Sequence, residues 1–293
     1  MNASVESIVP FNQFIDSAQG DRLHGNRGDW LSEIKEKGRI EFYKLGWPSP
    51  KFESWRYTNL NKLAKTQFFL PQDIELAELP YQDILPVDAP KIALVNGKFN
   101  RELSDLSTIS EGILVNNFQD MSDEQRALFS LENPTSLPKE GLPVKALNDA
   151  ILSDVLFIEI RPGWQSDVPL HIVSIGCGDH VGFSSKIFVS AGENCHLDIV
   201  ESHAGEYGST YFSSCVSNIY IKAGARLGHY KLQNDTNTST HLALTQTSIE
   251  ADAVYDNFVM SVGGILSRNE VRSFIAASGV DCCVNGALSL IHI

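Results

Sequence analysis

The chain has 293 residues, with 36 acidic and 23 basic side chains and a formal net charge of −13 at pH 7. Its 43% hydrophobic and 20% charged residues are typical of soluble globular proteins and exclude collagen-like and low-complexity chains. The negative charge repels phosphate backbones, and because no long run of Lys and Arg offsets it, nucleic-acid binding is disfavoured.

Residues 1–88 predict an N-terminal helical domain. A first helix is expected because apolar residues recur at i, i+3, i+4 and i+7, at Phe11, Phe14, Ile15 and Ala18. A second helix is expected from Asp29 to Lys44, and the proline-containing segment 46–50 ends it because proline cannot continue a helix.

The sequence offers no sign of export or membrane insertion. The first residues lack the basic and apolar segments of a secretion leader, and no stretch of 18 apolar residues occurs. The five cysteines are an odd number in a large chain, which does not indicate a disulfide framework. A reducing cytoplasm is therefore the expected location.

An aromatic segment follows the second helix. Trp55, Arg56 and Tyr57 lie in a stretch rich in charged residues, and we predict that Trp55 and Tyr57 form a plug that docks the helical domain onto the next one. A ligand or partner surface is the alternative.

Residues 89–154 predict a connecting region with short strands. Strands are expected at 92–95 and 113–115, and the Asn96-Gly97 pair between apolar residues predicts a hairpin. A short helix is expected at 124–131, and prolines at 134 and 138 indicate a loop.

Residues 155–293 contain a repeat in which β-branched residues at i and i+2 precede a break at a small or kinking pair. The breaks fall at 162, 191, 223 and 251, so the steps are 29, 32 and 28 residues. This period predicts a solenoid, and the strand-like alternation makes it a right-handed parallel β-helix. The expected fold class is therefore mainly β, with a β-helix core and an N-terminal helical domain.

Aligning the units on their breaks predicts columns of stacked side chains. The first strand of each unit predicts two ladders, Ile158/Ile187/Ile219/Thr247 and Ile160/Val189/Ile221/Ile249. The second strand predicts two columns, Val200/Leu232/Met260 and Asp198/Tyr230/Phe258. The chain stops within an apolar run, which indicates an incomplete β-helix whose exposed last winding promotes self-association.

Standard catalytic motifs do not occur. The sequence has no phosphate loop, dinucleotide fingerprint, nucleophile elbow or standard zinc spacing. The carboxylates that a polysaccharide-active β-helix would need are scattered over different columns, at Asp198, Glu201, Glu206 and Asp256. The polar segment 233–240 predicts a solvated loop, with an Asn- and Thr-lined ligand edge as the alternative.

Cysteine and histidine residues are concentrated in the predicted solenoid, at Cys195, His196, His203, Cys215, His229, His241, Cys282 and Cys283. His229 and Cys282 fall in roughly equivalent columns two windings apart. His229, Cys282 and Cys283 are therefore candidate ligands for iron or an iron–sulfur cluster, although adjacent residues face opposite sides of a strand and only one of the two cysteines can face inward. The alternative is that these side chains are ordinary core residues.

Five segments carry a family resemblance. The stretch Glu53-Ser54-Trp55-Arg56-Tyr57-Thr58, preceded by Gly46-Trp47-Pro48, is followed in order by 161–163, 168–172, 220–225 and 268–272. Together they resemble the SufB/SufD family of iron–sulfur cluster assembly scaffolds over about residues 30 to 290. The helical N-terminal domain is more similar to SufD than to SufB.

The resemblance implies a non-catalytic subunit that pairs edge to edge with a SufB-like subunit and works with a SufC-like ATPase. It also implies a transient iron–sulfur cluster and a reduced flavin at the level of the complex. Family members extend past residue 293 into a domain that docks the ATPase, so this chain is expected to lack that surface. Two other functions remain open: a secreted-type polysaccharide-active β-helix enzyme and a metal-free structural β-solenoid.

Overall fold

The computed structural model describes residues 9–20, 26–72, 74, 76, 78, 89–107, 111–131 and 142–288. Its helices are α1 (Val9–Ser17), α2 (Asn26–Leu45), α3 (Asn61–Lys65), α4 (Asp123–Leu131) and α5 (Leu142–Ala150). Its strands are β1 (Lys91–Val95), β2 (Lys98–Asp105), β3 (Ile113–Asn117), β4 (Leu152–Ile160), β5 (Leu170–Gly176), β6 (Asp179–Ala191), β7 (His196–Gly205), β8 (Thr210–Ile221), β9 (Arg226–Asn234), β10 (Thr240–Ile249), β11 (Val254–Ser261), β12 (Leu266–Ile275) and β13 (Asp281–Leu288).

The strands wind into two facing sheets. Sheet 1 has the order β13-β11-β9-β7-β5-β1-β2, and sheet 2 has the order β12-β10-β8-β6-β4-β3. From β4 onward the chain alternates between the sheets, and neighbouring strands of each sheet are parallel. The predicted mainly β fold with a β-solenoid core is confirmed.

The register of sheet 2 differs from the predicted ladders in the first three windings. The observed columns are Ile158/Val189/Ile219/Thr247 and Ile160/Ala191/Ile221/Ile249. Three of the predicted breaks lie two residues past the end of a strand, whereas the break at 191 is itself the strand end. The predicted alignment was therefore wrong by two residues around β6 and correct between β8 and β10. A shift of two residues leaves the same side chains facing inward.

The second-strand columns show the same error. Val200 pairs with Tyr230 rather than with Leu232, while the predicted pairing of Tyr230 with Phe258 is correct. Val200 and Tyr230 are half-buried and Phe258 is exposed, so this column lies on the outer face of sheet 1. The residues between them point into the solenoid.

The N-terminal helices pack on the outer face of sheet 2. The predicted face of α1 is fully buried, and its Phe11 ring packs against Phe212 of β8 with centroids 5.6 Å apart. Outward-facing aliphatic side chains of β8 and β10 complete this cluster, among them Val216 and Leu242. The second helix begins three residues before the predicted Asp29. No helix among the described residues has the length and hydropathy needed to cross a bilayer.

The predicted connecting region contributes strands to both sheets. The predicted hairpin is confirmed, because β1 and β2 are antiparallel around Asn96 and Gly97, whose φ angles of 48° and 80° suit a type I′ turn. Strand β1 also pairs in parallel with β5, and β3 pairs with β4. The predicted short helix is confirmed as α4, and the predicted loop at 133–138 lies outside the described residues. The domain boundaries at 88 and 154 stay a prediction.

Candidate functional site

The interior of the solenoid is apolar on one side and polar on the other. Toward the turns at 192–195, 222–225 and 250–253 it is filled mainly by aliphatic side chains. Toward the opposite turns, at 206–209 and 235–239, it contains buried ionisable and amide groups. We call this second set the polar interior; it consists of Glu201, His203, Cys215, His229, Lys231, Gln233, Asp235 and His241.

Strand alternation places these side chains on the inward face. Glu201 and His203 lie at i and i+2 on β7, so they point to the same side of the strand. Lys231 of β9 pairs directly with Glu201 in the next winding. Cys215 of β8 and His241 of β10 face them from the other sheet. Four consecutive strands therefore contribute to one buried cluster.

The carboxylate of Glu201 is the centre of this cluster. Its Oε1 lies 2.9 Å from Nε2 of His229 and accepts a 3.2 Å hydrogen bond from Ser217, and its Oε2 lies 3.0 Å from Nζ of Lys231 and 3.2 Å from Nε2 of His203. Burial opposes its ionisation, but Lys231 and His229 outweigh burial and hold the pKa of Glu201 well below its usual value. Glu201 likewise keeps the pKa of Lys231 raised despite burial. The interior thus contains a fully buried ion pair.

A second acidic group, Asp235, lies at the turn after β9. It accepts hydrogen bonds from the Tyr211 hydroxyl at 2.6 Å and from Nε2 of Gln233 at 2.7 Å, and its Oδ2 lies 3.3 Å from Nδ1 of His241. Despite burial, these partners hold the pKa of Asp235 below its usual value. Burial lowers the pKa of His241 to about 3, so its imidazole is neutral near pH 7.

The thiol of Cys215 completes the cluster. Burial raises its pKa, which keeps it protonated in the absence of a ligand. One donor atom each from Glu201, His203 and Cys215 lies within 4.8 Å of the other two. A carboxylate oxygen, an imidazole nitrogen and a sulfur at this separation can bind a transition metal.

The three predicted metal ligands occupy different places. His229 is buried in the polar interior, Cys282 is partly buried beside the apolar side, and Cys283 is exposed. The prediction that only one of these cysteines faces inward is confirmed. The predicted equivalence of His229 and Cys282 was wrong by two residues, because Cys282 continues the column of Leu227 while His229 continues to Val284. That these three residues bind a metal stays a prediction.

Sequence reasoning missed Lys231 and treated Glu201 as a surface carboxylate. The available signal was the alternation along β9, where Lys231 has the same parity as the buried Leu227. The predicted columns were built instead from the alternate residues of β9, which face outward. Assigning the inward parity would have revealed a buried Lys and a buried Glu in consecutive windings, while the register that pairs them could not be read from it.

Two further expectations were wrong. Asp198 and Asp256 are not in different columns, because both align with Gly228 on the outer face of sheet 1. The segment 233–240 is not simply a solvated loop, because Gln233 and Ser239 are fully buried. Its side chains make hydrogen bonds to neighbouring windings; for example, the Ser239 hydroxyl oxygen accepts a 3.0 Å hydrogen bond from the amide of Tyr211.

Two family models match the chain one after the other. "SufBD protein N-terminal region" matches residues 12–172, and "SUF system FeS cluster assembly, SufBD core domain" matches residues 174–291. The chain belongs to the SufBD family.

Among curated proteins, this SufBD-family chain is 23% identical over 238 residues to the "Iron-sulfur cluster assembly SufBD family protein slr0076" of Synechocystis sp., covering 77% of this chain and 52% of the relative. It is 24% identical to "Iron-sulfur cluster assembly protein SufD" of Escherichia coli, covering 80% and 53%. It is 21% identical to "Protein ABCI7, chloroplastic" of Arabidopsis thaliana, covering 83% and 52%. The chain spans about half the length of these relatives.

Two of the segments that carry the SufBD resemblance meet in the structure. Trp55 is fully buried, and the guanidinium carbon of Arg268 on β12 lies 3.9 Å from the centroid of its ring, within the range of a cation–π contact. Arg268 also donates a 3.4 Å hydrogen bond to the Thr58 hydroxyl. The predicted docking role is confirmed for Trp55. It was wrong for Tyr57, which is 90% exposed.

Proposed function

We propose that this chain is a non-catalytic scaffold subunit of a cytoplasmic iron–sulfur cluster assembly complex, where it pairs with a SufB-like subunit and a SufC-like ATPase. The observation that carries the proposal is the ordered match of both SufBD family models, the first over the helices, the connecting strands and the start of the solenoid and the second over the rest of the solenoid. The Synechocystis and Escherichia coli relatives, whose names state iron–sulfur cluster assembly, support the same process.

The proposed contact with the SufB-like subunit is an edge of the β-helix. Such an edge presents main-chain donors and acceptors at the regular spacing of a strand, and a strand from another chain can pair with it. The partner that this proposal favours is therefore another β-helix.

The iron–sulfur cluster is cargo of the proposed complex rather than a resident group of this chain. A reduced flavin is also part of the resemblance. The groove between α3 and the first residues of β8 and β10 contains Phe68 and Leu266, but among the described residues Lys62 is the single Lys or Arg that lines it. That lining is a poor fit for a phosphate-bearing flavin, so no step through a flavin is assigned to this chain.

The test is gel filtration of this protein mixed with purified SufB-like and SufC-like subunits from the same organism, at micromolar concentration. We expect this chain to elute together with the SufB-like subunit, and each protein run alone provides the control. Separate elution of this chain from the SufB-like subunit contradicts the proposal.

Two rival functions have their own readouts. Turnover of an acidic polysaccharide by the purified chain would support an enzyme. Anaerobic reconstitution of the co-eluting complex with iron and sulfide, followed by visible absorbance, separates a cluster scaffold from a metal-free structural solenoid. We expect cluster absorbance from the complex and no polysaccharide turnover.

A further inference from the structure

The cluster around Glu201 contains more ligand chemistry than a buried ion pair needs. Glu201 and His203 extend from one strand, and Cys215 faces them from the opposite sheet, with one donor atom of each within 4.8 Å of the others. All three residues are at most 4% exposed. Cysteine and histidine at such a spacing offer the soft and borderline donors that divalent transition metals prefer.

We propose that Glu201, His203 and Cys215 form a binding site for one divalent transition-metal ion inside the solenoid. Mixed sulfur, nitrogen and oxygen ligands suit zinc(II) and iron(II), and zinc(II) binds such donors more tightly. The site differs from the sequence-predicted set of His229, Cys282 and Cys283, and it needs no partner subunit.

A second and independent observation concerns His241. This imidazole is completely buried, and its Nε2 has no hydrogen-bond partner among the described residues. Its Nδ1 lies 3.3 Å from Oδ2 of Asp235 and 2.9 Å from the Ser213 hydroxyl. When Nδ1 carries the ring proton and donates it to the Ser213 hydroxyl, Nε2 has a free lone pair that a metal ion can accept.

His241 lies next to His203 and is the candidate for a fourth ligand, although it is outside the set of donor atoms that lie within 4.8 Å of one another. Its ring centroid lies 4.9 Å from that of His203, in an edge-to-face arrangement. A tetrahedral site needs four donors, and the three donors of the cluster plus Nε2 of His241 supply that number. A partnerless buried nitrogen costs free energy unless some group binds it, and a metal ion would remove that cost.

The ammonium of Lys231 lies 3.0 Å from Glu201, so the charge of the whole cluster decides whether a cation is tolerated. Glu201 and Asp235 supply two negative charges and Lys231 one positive charge. Loss of the Cys215 proton on metal binding adds a third negative charge, which leaves a net charge of −2 when the imidazoles are neutral. A divalent ion neutralises that charge, and its binding should release the thiol proton.

The test is metal loading of the purified chain. The protein is unfolded in the presence of a chelator, refolded without oxygen with excess zinc(II) or iron(II) in separate samples, dialysed and analysed for bound metal. We expect about one zinc ion per chain, tighter retention of zinc than of iron, and a thiolate-to-cobalt charge-transfer band when cobalt(II) is used instead.

Matched variants locate the site. Cys215→Ser should lose the metal and the cobalt band. Two control variants should keep both. Cys195→Ser changes an equally buried thiol on the apolar side, and Cys283→Ser changes the exposed thiol. Circular dichroism checks that each variant folds. The proposal can also be tested without any variant, because a wild-type chain that retains no metal overturns it. Equal retention by Cys215→Ser, or loss on changing Cys283, also overturns it, and none of these results depends on complex formation.

Discussion

The apolar and polar sides of the solenoid interior are built from the same strands but respond differently to a shift in strand register. On the apolar side, columns such as Ile160, Ala191, Ile221 and Ile249 contain interchangeable aliphatic residues. A two-residue slip there exchanges one aliphatic side chain for another. On the polar side, the same slip would place Glu201 beside His229 or Gln233 and leave Lys231 without its carboxylate.

The two sides therefore have different roles in specifying the fold. Aliphatic burial stabilises any register that keeps the inward parity, because the hydrophobic effect is non-directional. The Glu201–Lys231 pair distinguishes one register from the others, because an unpaired buried charge is strongly unfavourable. We therefore expect the apolar side to supply most of the stability and the polar side to select the register.

The largest effect should come from breaking the buried pair. Lys231→Met should lower the free energy of unfolding by about 3–5 kcal/mol, because it leaves the Glu201 carboxylate buried without its ammonium partner. Adding Glu201→Gln should recover part of this loss, since the double variant buries no unpaired charge at that position. Urea unfolding followed by circular dichroism measures both values.

The surface provides a control for that prediction. Lys222 and Glu250 form a 3.1 Å ion pair whose side chains are 33% and 40% exposed. Lys222→Met should cost about 1 kcal/mol or less, because solvent screens exposed pairs. Equal losses for Lys231→Met and Lys222→Met would show that the polar side does not specify register as proposed.

The second prediction concerns pH. The pKa of Glu201 is lowered in the folded state, so its contribution to stability is present above the usual pKa of 4.5 and is lost as the pH falls below it. Glu201→Gln should therefore flatten the loss of stability between about pH 5 and pH 3. Burial raises the pKa of Asp154 to about 6, so this residue changes the free energy of unfolding with pH in the opposite direction. Because Asp154 is present in both proteins, its effect cancels in the comparison. Parallel slopes for wild type and variant would contradict the assignment.

The third prediction addresses the apolar side. Ile221→Val should cost about 0.5–1.5 kcal/mol, because it removes one buried methylene group. The cost should not depend on pH between 5 and 8, since no titratable group is changed. Urea titrations at several pH values provide the measurement, and a pH-dependent loss would show that the two sides are coupled.

The smallest effect is expected at the last described winding. Val284 continues the inward column of His229 but is 48% exposed on β13. Val284→Lys should reduce self-association at high concentration, because charges on an exposed edge strand disfavour pairing with another copy. Analytical ultracentrifugation measures the change. Asn285→Lys, on the opposite face of the same strand, is the matched control and should have the weaker effect.

The β-solenoid, the hairpin at Asn96-Gly97 and the buried face of α1 could be predicted from the sequence, because each depends on local periodicity or turn chemistry. The docking of Trp55 was predicted from the aromatic residues in a stretch rich in charged residues, but the same prediction was wrong for Tyr57. The sequence placed His203, Cys215, His229 and His241 in the right part of the chain without showing which of them meet.

The register, and with it the composition of the polar interior, follows from the tertiary structure. Whether Glu201 meets Lys231 depends on the number of residues in each turn, and a difference of two residues leaves the periodic pattern unchanged. The neighbours of Cys215 come from strands in the opposite sheet, and no spacing along the chain encodes that approach. Periodicity determines which side of a strand is buried, and the turns decide which buried side chains touch.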